Sequence, residues 1–212
     1  MKKGIYALLV GTTALFMTAC SGNTTEGEET PAVAQACFYK YDSLSTIFEW
    51  TAYKTASKVP VKGSFNEIEI SAPALSSDDP MALLKSLRFK MRTATVETND
   101  EDRNLKIANS FFGTMHNPEY LSGKVKALKD DGTAIISVTM NDVTANVEGN
   151  YTFANDKFTF EANIDVLNFN GTAPLESLTE VCSEPHTGDD GKPITWPEVA
   201  LMFSTVLDSD CD

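Results

Sequence analysis

Cys182 and His186 stand four residues apart. A thiol one helical turn from an imidazole could form a nucleophile pair or hold part of a metal site. Little else supports that chemistry. The chain has only two histidines, the other being His116, and no second thiol lies at ligand spacing around Cys182. Serine–histidine signatures, zinc spacings and phosphate-cradling glycine loops are absent. The expectation is therefore no catalytic residue, no metal and no cofactor, with an enzyme using Cys182, His186 or His116 as the minor alternative. Binding remains. An apolar chain asks for apolar walls and one polar group for its head. Arg103, Tyr53 and Tyr151 could supply that group, although a salt bridge to Glu97 or Asp100 is the plainer expectation for Arg103.

Cys20 suggests a different chemistry. Met1-Lys2-Lys3 is basic and residues 4–17 are apolar. The run is too short to span a bilayer comfortably and ends in small residues, as a signal peptide does. Met17-Thr18-Ala19-Cys20-Ser21 looks like a bacterial lipobox, which implies acylation of Cys20, with palmitate-type chains, as the mature N-terminus. Ordinary cleavage near Ala19 with a free thiol is the alternative. Two or three acyl chains suffice for stable anchoring. Residues 1–19 are then a lipoprotein signal peptide. Residues 20–36, acidic and poor in large apolar side chains, form a disordered tether. Residues 37–212 form the folded domain. The expected location is the bacterial cell envelope, lipid-anchored at the outer membrane and facing the periplasm or the cell surface.

Composition narrows the partners. The 212 residues suit one domain, or two at most. A net charge of −13 becomes −15 once Lys2 and Lys3 are removed, leaving 15 basic against 30 acidic residues. Nucleic acid and anionic lipid surfaces should repel such a chain. An uncharged apolar partner is not excluded.

The elements that would position a binding site are strands. In 45–54, Phe48, Trp50 and Ala52 alternate with Thr51 and Tyr53. In 59–70, Val59, Val61, Gly63 and Phe65 share a face. Leu87, Phe89 and Met91 alternate with Arg88, Lys90 and Arg92. Further strands are read at 120–128, 134–140, 143–153, 158–166 and 196–207, eight in all. Asn141-Asp142 and Asn155-Asp156 are turn signals. Short helices are expected within 72–85, where Asp79 caps and Pro80 starts the helix, and over 171–181. The 182–192 segment reads as a loop.

Residues 93–125 carry a helix inserted between strands. Thr98 and Glu101 have capping-box spacing, Leu105, Ala108 and Phe112 share a helical face, and Asn117-Pro118 ends the helix. Thr98-Asn99-Asp100, Asp102-Arg103-Asn104, Phe111-Phe112 and Asn117-Pro118 resemble the YceI-like family. Asn104 stands where that family commonly has Asp, and Asn117 where it has an aromatic. The resemblance continues in Ser45-x-Ile47, in Lys62-Gly63-Ser64-Phe65 and in the Thr139–Thr144 corner, where Asp142 replaces a usual Gly. It extends to Trp196-Pro197-Glu198-Val199. It implies an all-β fold with short helical inserts, an eight-stranded antiparallel lipocalin-like barrel, and a long isoprenoid lipid as ligand.

In a barrel with an even number of strands the two chain ends are neighbours, so Cys37–Cys211 is the preferred disulfide and Cys37–Cys182 its rival. Small residues on the inward faces (Ala52, Gly63, Ala145, Gly149, Ala162) opposite large ones could leave a long slot, or could be plain packing. The expected lining is Phe48, Trp50, Val61 and Phe65 from the first strands, and Phe89, Met91, Phe112 and Met115 from the middle. Met140, Tyr151, Phe160 and Phe203 complete it. One buried methylene contributes about 0.8 kcal/mol, and one isoprene unit roughly 3 kcal/mol before ordering costs. The expected function is non-catalytic binding, sequestration or transport of a polyprenol or quinone, the membrane being reached through the lipid anchor. The alternative is a structural or surface-interaction lipoprotein whose barrel is filled by its own side chains.

Overall fold

The computed structural model describes residues 37–211. The signal peptide, Cys20 and the tether lie outside the described residues.

The chain enters as β1 (Cys37–Tyr41), and a 3-10 turn at Ser43–Ser45 leads to β2 (Ile47–Lys54). Then come β3 (Val59–Phe65), β4 (Ile68–Ser71), β5 (Ser76–Ser77), α1 (Pro80–Ser86), β6 (Arg88–Arg92) and β7 (Val96–Glu97). The insert begins with α2 (Glu101–Lys106), continues as a π-helical turn over Ile107–Phe111 and closes in a 3-10 turn at Phe112–Thr114. Four strands follow: β8 (Tyr120–Leu128), β9 (Thr133–Met140), β10 (Val143–Ala154) and β11 (Lys157–Asp165). After α3 (Thr172–Val181) and α4 (Ser183–His186), β12 (Thr195–Cys211) ends the described chain.

All pairs are antiparallel within one twelve-stranded sheet. Among the described residues ten strands follow one path, β4-β6-β8-β9-β10-β11-β12-β2-β3-β7, while β1 pairs with β12 and β5 with β1. The expected count of eight is corrected to twelve, for two reasons. The 59–70 strand breaks into β3 and β4, and a 3-10 turn at Thr93–Thr95 separates β6 from β7. At that break the Thr95 hydroxyl accepts from the Glu67 amide (3.1 Å) and donates to the Arg92 carbonyl (2.7 Å). The Asn66 amide still donates to the Thr95 carbonyl and the Arg92 amide to the Glu67 carbonyl, so a side chain supplements the interrupted ladder where both strands break. The other two additions are β1 and β5, outside any alternating run. The last strand also runs past Leu207 to Cys211, and α4 occupies part of the expected 182–192 loop.

Local signals explain the joints. Asn141 and Asp142 adopt φ of 52° and 61°, and Asn155 and Asp156 φ of 50° and 60°, the left-handed pairs that two-residue hairpins need. The Asp79 carboxylate accepts from the Met81 and Ala82 amides with Pro80 at the first helical position. Thr98, by contrast, is not the cap of α2. Asp100 is, accepting from the Arg103 amide at 3.0 Å.

The core lies on the concave face, and strand register arranges it in rows. Phe48 faces Phe203, Phe203 faces Phe160, and Phe160 faces Tyr151 across four strands. One row away run Trp50, Leu201, Ala162 and Gly149. The small residues serve packing. A Cβ on Gly63 would lie 2.2 Å from Trp50 Cζ2, and one on Gly149 would lie 2.7 Å from Phe160 Cε2. Aromatic rings already fill the room those glycines make, so the expected long slot is shortened.

Candidate functional site: an apolar cavity beneath a polar mouth

The insert is held over one end of the rolled sheet by polar clasps. Asn104 Oδ1 accepts from the Thr98 amide (2.8 Å) and hydroxyl (2.6 Å), while its Nδ2 donates to Glu97 at 3.0 Å. An Asp here would accept both bonds but could not make the third. That donation from Asn104 is the largest cause of the lowered Glu97 pKa. At the other end of the insert, the His116 amide donates to Asn141 Oδ1 at 2.6 Å, and Asn117 Nδ2 donates to Asp142. Asn141, 5% exposed, also donates to the Phe169 and Asn170 carbonyls at 2.9 Å each. The two hairpin-turn residues thus fasten the insert and the turn after β11 to the sheet.

The π-helical turn rotates the insert's apolar face away from straight helical spacing. Leu105 is left 55% exposed, whereas Phe112 is buried and Ile107 and Phe111 pack against the core. The shared face expected of Leu105, Ala108 and Phe112 is corrected accordingly.

Beneath the insert lies an upper cavity of about 110 Å³, bounded by Ile107, Phe111 and Phe112 above and by Leu175 and Leu178 of α3 at the side. Its floor includes Phe48, Trp50, Met140 and Leu201, and Thr195 is its one polar lining residue. A lower cavity of about 60 Å³ sits toward α1, among Phe89, Phe160, Phe203, Leu84 and Leu87. Phe48 and Leu201 line both. An apolar cavity of 150 Å³ holds a benzene, so the upper space as it stands takes about one isoprene unit.

A polar mouth of about 310 Å³ adjoins the upper cavity, sharing Trp50, Ala52, Ile107, Leu178 and Thr195 with it. Tyr53, Lys54, Val61, Asp100, Asp102, Arg103 and Lys106 line it, with Cys182 and His186 at its back. Arg103 pairs with Asp100 at 2.9 Å, the plainer of its two expected roles. Among the described residues Lys54 and Lys106 have no ion-pair partner. The Nε1 of Trp50 is buried without an acceptor, an orphaned donor costing about 1–3 kcal/mol.

Cys182 and His186 are poorly set for nucleophilic work. Burial pushes the Cys182 thiol up, away from thiolate. Burial, with Lys54 and Lys106 nearby, pushes the His186 imidazole down to about 4. His186 Nδ1 lies 2.7 Å from Thr195 Oγ1, which also receives a hydrogen bond from Thr179 at 2.7 Å. No group of metal-binding side chains occurs among the described residues.

The twelve expected liners divide. Phe48, Trp50, Phe112 and Met140 line the upper cavity, Phe89, Phe160 and Phe203 the lower one, and Val61 the mouth. Phe65, Met91 and Met115 are buried and line neither of these cavities nor the mouth. Phe65 is packed between Phe48 (6.1 Å) and Phe112 (5.8 Å). Tyr151 is displaced from the site, stacking on Phe158 and donating to the Lys129 carbonyl at 2.8 Å. Leu175 and Leu178 were missed, although their i, i+3 spacing marks an apolar helix face. Cys37 is bonded to Cys211, and Cys182 keeps a buried free thiol.

Residues 39–205 match the YceI-like domain. No curated protein matches the chain. Among solved structures the chain resembles a polyisoprenoid binding domain from Saccharophagus degradans implicated in plant cell wall breakdown. The TM-score is 0.56 at 11% identity, over 84% of this chain and 100% of that one. It also resembles BcnA of Burkholderia cenocepacia, with a TM-score of 0.52 at 16% identity over 80% and 99% of the two chains. Matched over most of its length, the chain belongs to the YceI-like domain family.

Proposed function

We propose that the protein binds an isoprenoid-type lipid, the chain lying in the upper cavity and the head in the mouth, without catalysis. The observation that carries this reading is a cavity walled by apolar side chains that adjoins a polar vestibule at the end covered by the insert. The rolled sheet then works as a lipocalin-like barrel, and Tyr53 and Arg103 are among the polar groups in the mouth that can meet the head. Relatedness to a domain described as polyisoprenoid binding supports the ligand class. We further propose that Cys20 carries the lipid anchor and that the domain works in the bacterial envelope, where it sequesters or carries a polyprenol or quinone. The raised thiol and the lowered imidazole favour binding over turnover.

The side-chain-filled barrel keeps one observation in its favour: Trp50 and Phe160 occupy the space the glycines make. Solvent extraction of natively purified protein, followed by mass spectrometry, separates the two. Prenyl lipid in the extract, and uptake of added prenol by the stripped protein, support the carrier. An empty extract together with no uptake sinks it and leaves the filled scaffold.

A further inference from the structure

The two cavities adjoin, and one aromatic and one aliphatic side chain stand between them. Phe48 and Leu201 alone line both spaces. Phe48 belongs to the row Phe48–Phe203–Phe160, while Leu201 lies one row nearer the mouth beside Trp50. Phe160 is buried at 6% exposure, whereas Phe48 is only partly buried. Phe203 is partly buried too, but of these rings only Phe48 lines both cavities. Below it the space is walled mainly by apolar side chains, with the buried Leu84 and Leu87 at the α1 end.

The volumes make this division consequential. Micromolar affinity needs about 8 kcal/mol, and one isoprene unit contributes roughly 3 kcal/mol. The upper cavity, at about 110 Å³, has room for about one unit. Further units either stay in the mouth, half in water, or pass into the lower space.

Resting on the lipid-binding reading above, we infer that Phe48 sets the length of chain the protein accepts. It stops the buried end of a prenyl chain at the floor of the upper cavity, and the protein selects short prenyl chains, or takes only the terminal unit or two of a longer one. The insert is mechanically linked to this stop. Phe48 packs on Phe65 at 6.1 Å, Phe65 on Phe112 at 5.8 Å, and Phe112 on Phe111 at 5.1 Å, so a continuous chain of rings joins the insert to the stop.

The test is a length series on the lipid-stripped full chain. Geraniol, farnesol and geranylgeraniol, of two, three and four units, are titrated against quenching of tryptophan emission, since Trp50 lines the upper cavity. The wild type should bind farnesol and geranylgeraniol within about twofold of each other, because the added unit stays in the mouth, largely in water. Phe48→Ala should join the spaces and bind geranylgeraniol at least tenfold more tightly than farnesol. Phe48→Leu, which keeps the core apolar if the alanine variant does not fold, should fall between. A wild-type affinity that already rises tenfold from farnesol to geranylgeraniol overturns the inference and leaves lipid binding intact. So do parallel length profiles in wild type and variants. Binding of no prenol by any of the proteins overturns both.

Discussion

Removing the Cys37–Cys211 disulfide, by replacing both cysteines with serine, is a direct test of how the two ends of the domain are held. The bond spans 174 residues. For a loop of that length the chain-entropy relation gives about 5 kcal/mol of stabilisation at 25 °C, by restricting the unfolded chain. Measured effects are commonly smaller, because denatured chains retain structure, so the expected loss is about 2–5 kcal/mol. The strand pairing does not vanish with the bond. β1 still faces β12 from Cys37–Cys211 to Tyr41–Leu207, and the Tyr41 amide still donates to the Leu75 carbonyl at 2.9 Å. The native fold should therefore survive. Urea unfolding followed by tryptophan emission reads the change as a lower midpoint. A loss under about 1 kcal/mol at unchanged denaturant slope would refute the reasoning, for it would mean that the bond closes nothing the unfolded chain leaves open.

Other perturbations read other parts of the molecule. Gly63→Ala drives a methyl against Trp50 and the Glu97 carbonyl, with the nearest indole atom at 2.2 Å; a loss of about 1–3 kcal/mol in urea unfolding and a shifted tryptophan emission maximum are expected. Trp50→Phe removes an orphaned donor along with part of a ring, so relief of the donor offsets some of the cavity cost. Its unfolding free energy should change by under about 1.5 kcal/mol. His186 has a folded pKa of about 4, below its ordinary value of 6.5, so between those values the unfolded chain binds the extra proton. Thermal stability should then fall as pH drops from about 6.5 to 4, by on the order of 1 kcal/mol after allowance for a half-buried ring. In His186→Asn that part of the pH slope should be missing from a calorimetric series. Cys20→Ser should abolish acylation, read as a lower mass of the mature protein and as loss from the detergent phase.

Much of the sheet was legible because period-two alternation is local. The runs around Phe89, Val143–Ala154 and Phe158 appear as strands because side chains on a pleated backbone must alternate. Both hairpin turns were legible from Asn-Asp pairs, which tolerate left-handed angles. Breaks in strands were not. Thr95 interrupts a ladder only because the chain around Glu67 happens to lie opposite it. The cap of α2 was misread for a related reason: Thr98 has cap spacing, yet Asn104 claims its hydroxyl. For the site, residue type identified the apolar liners, but not which of them face a cavity. Met91 alternates in β6 and Met115 follows the insert's last turn, and both are as buried as the residues that line a cavity, yet neither lines the two cavities or the mouth.

By itself the sequence determined the alternating runs, the hairpin turns and the apolar inward face, since each follows from neighbours within a few residues. Tertiary structure alone decided how much room that face encloses. Volume is the small difference between the space a rolled sheet surrounds and the side chains that fill it from opposite strands. Trp50 lies over Gly63 and Phe160 over Gly149 across neighbouring strands, Phe48 meets Phe203 from the far end of the chain, and together they leave two small hollows where spacing suggested one long slot.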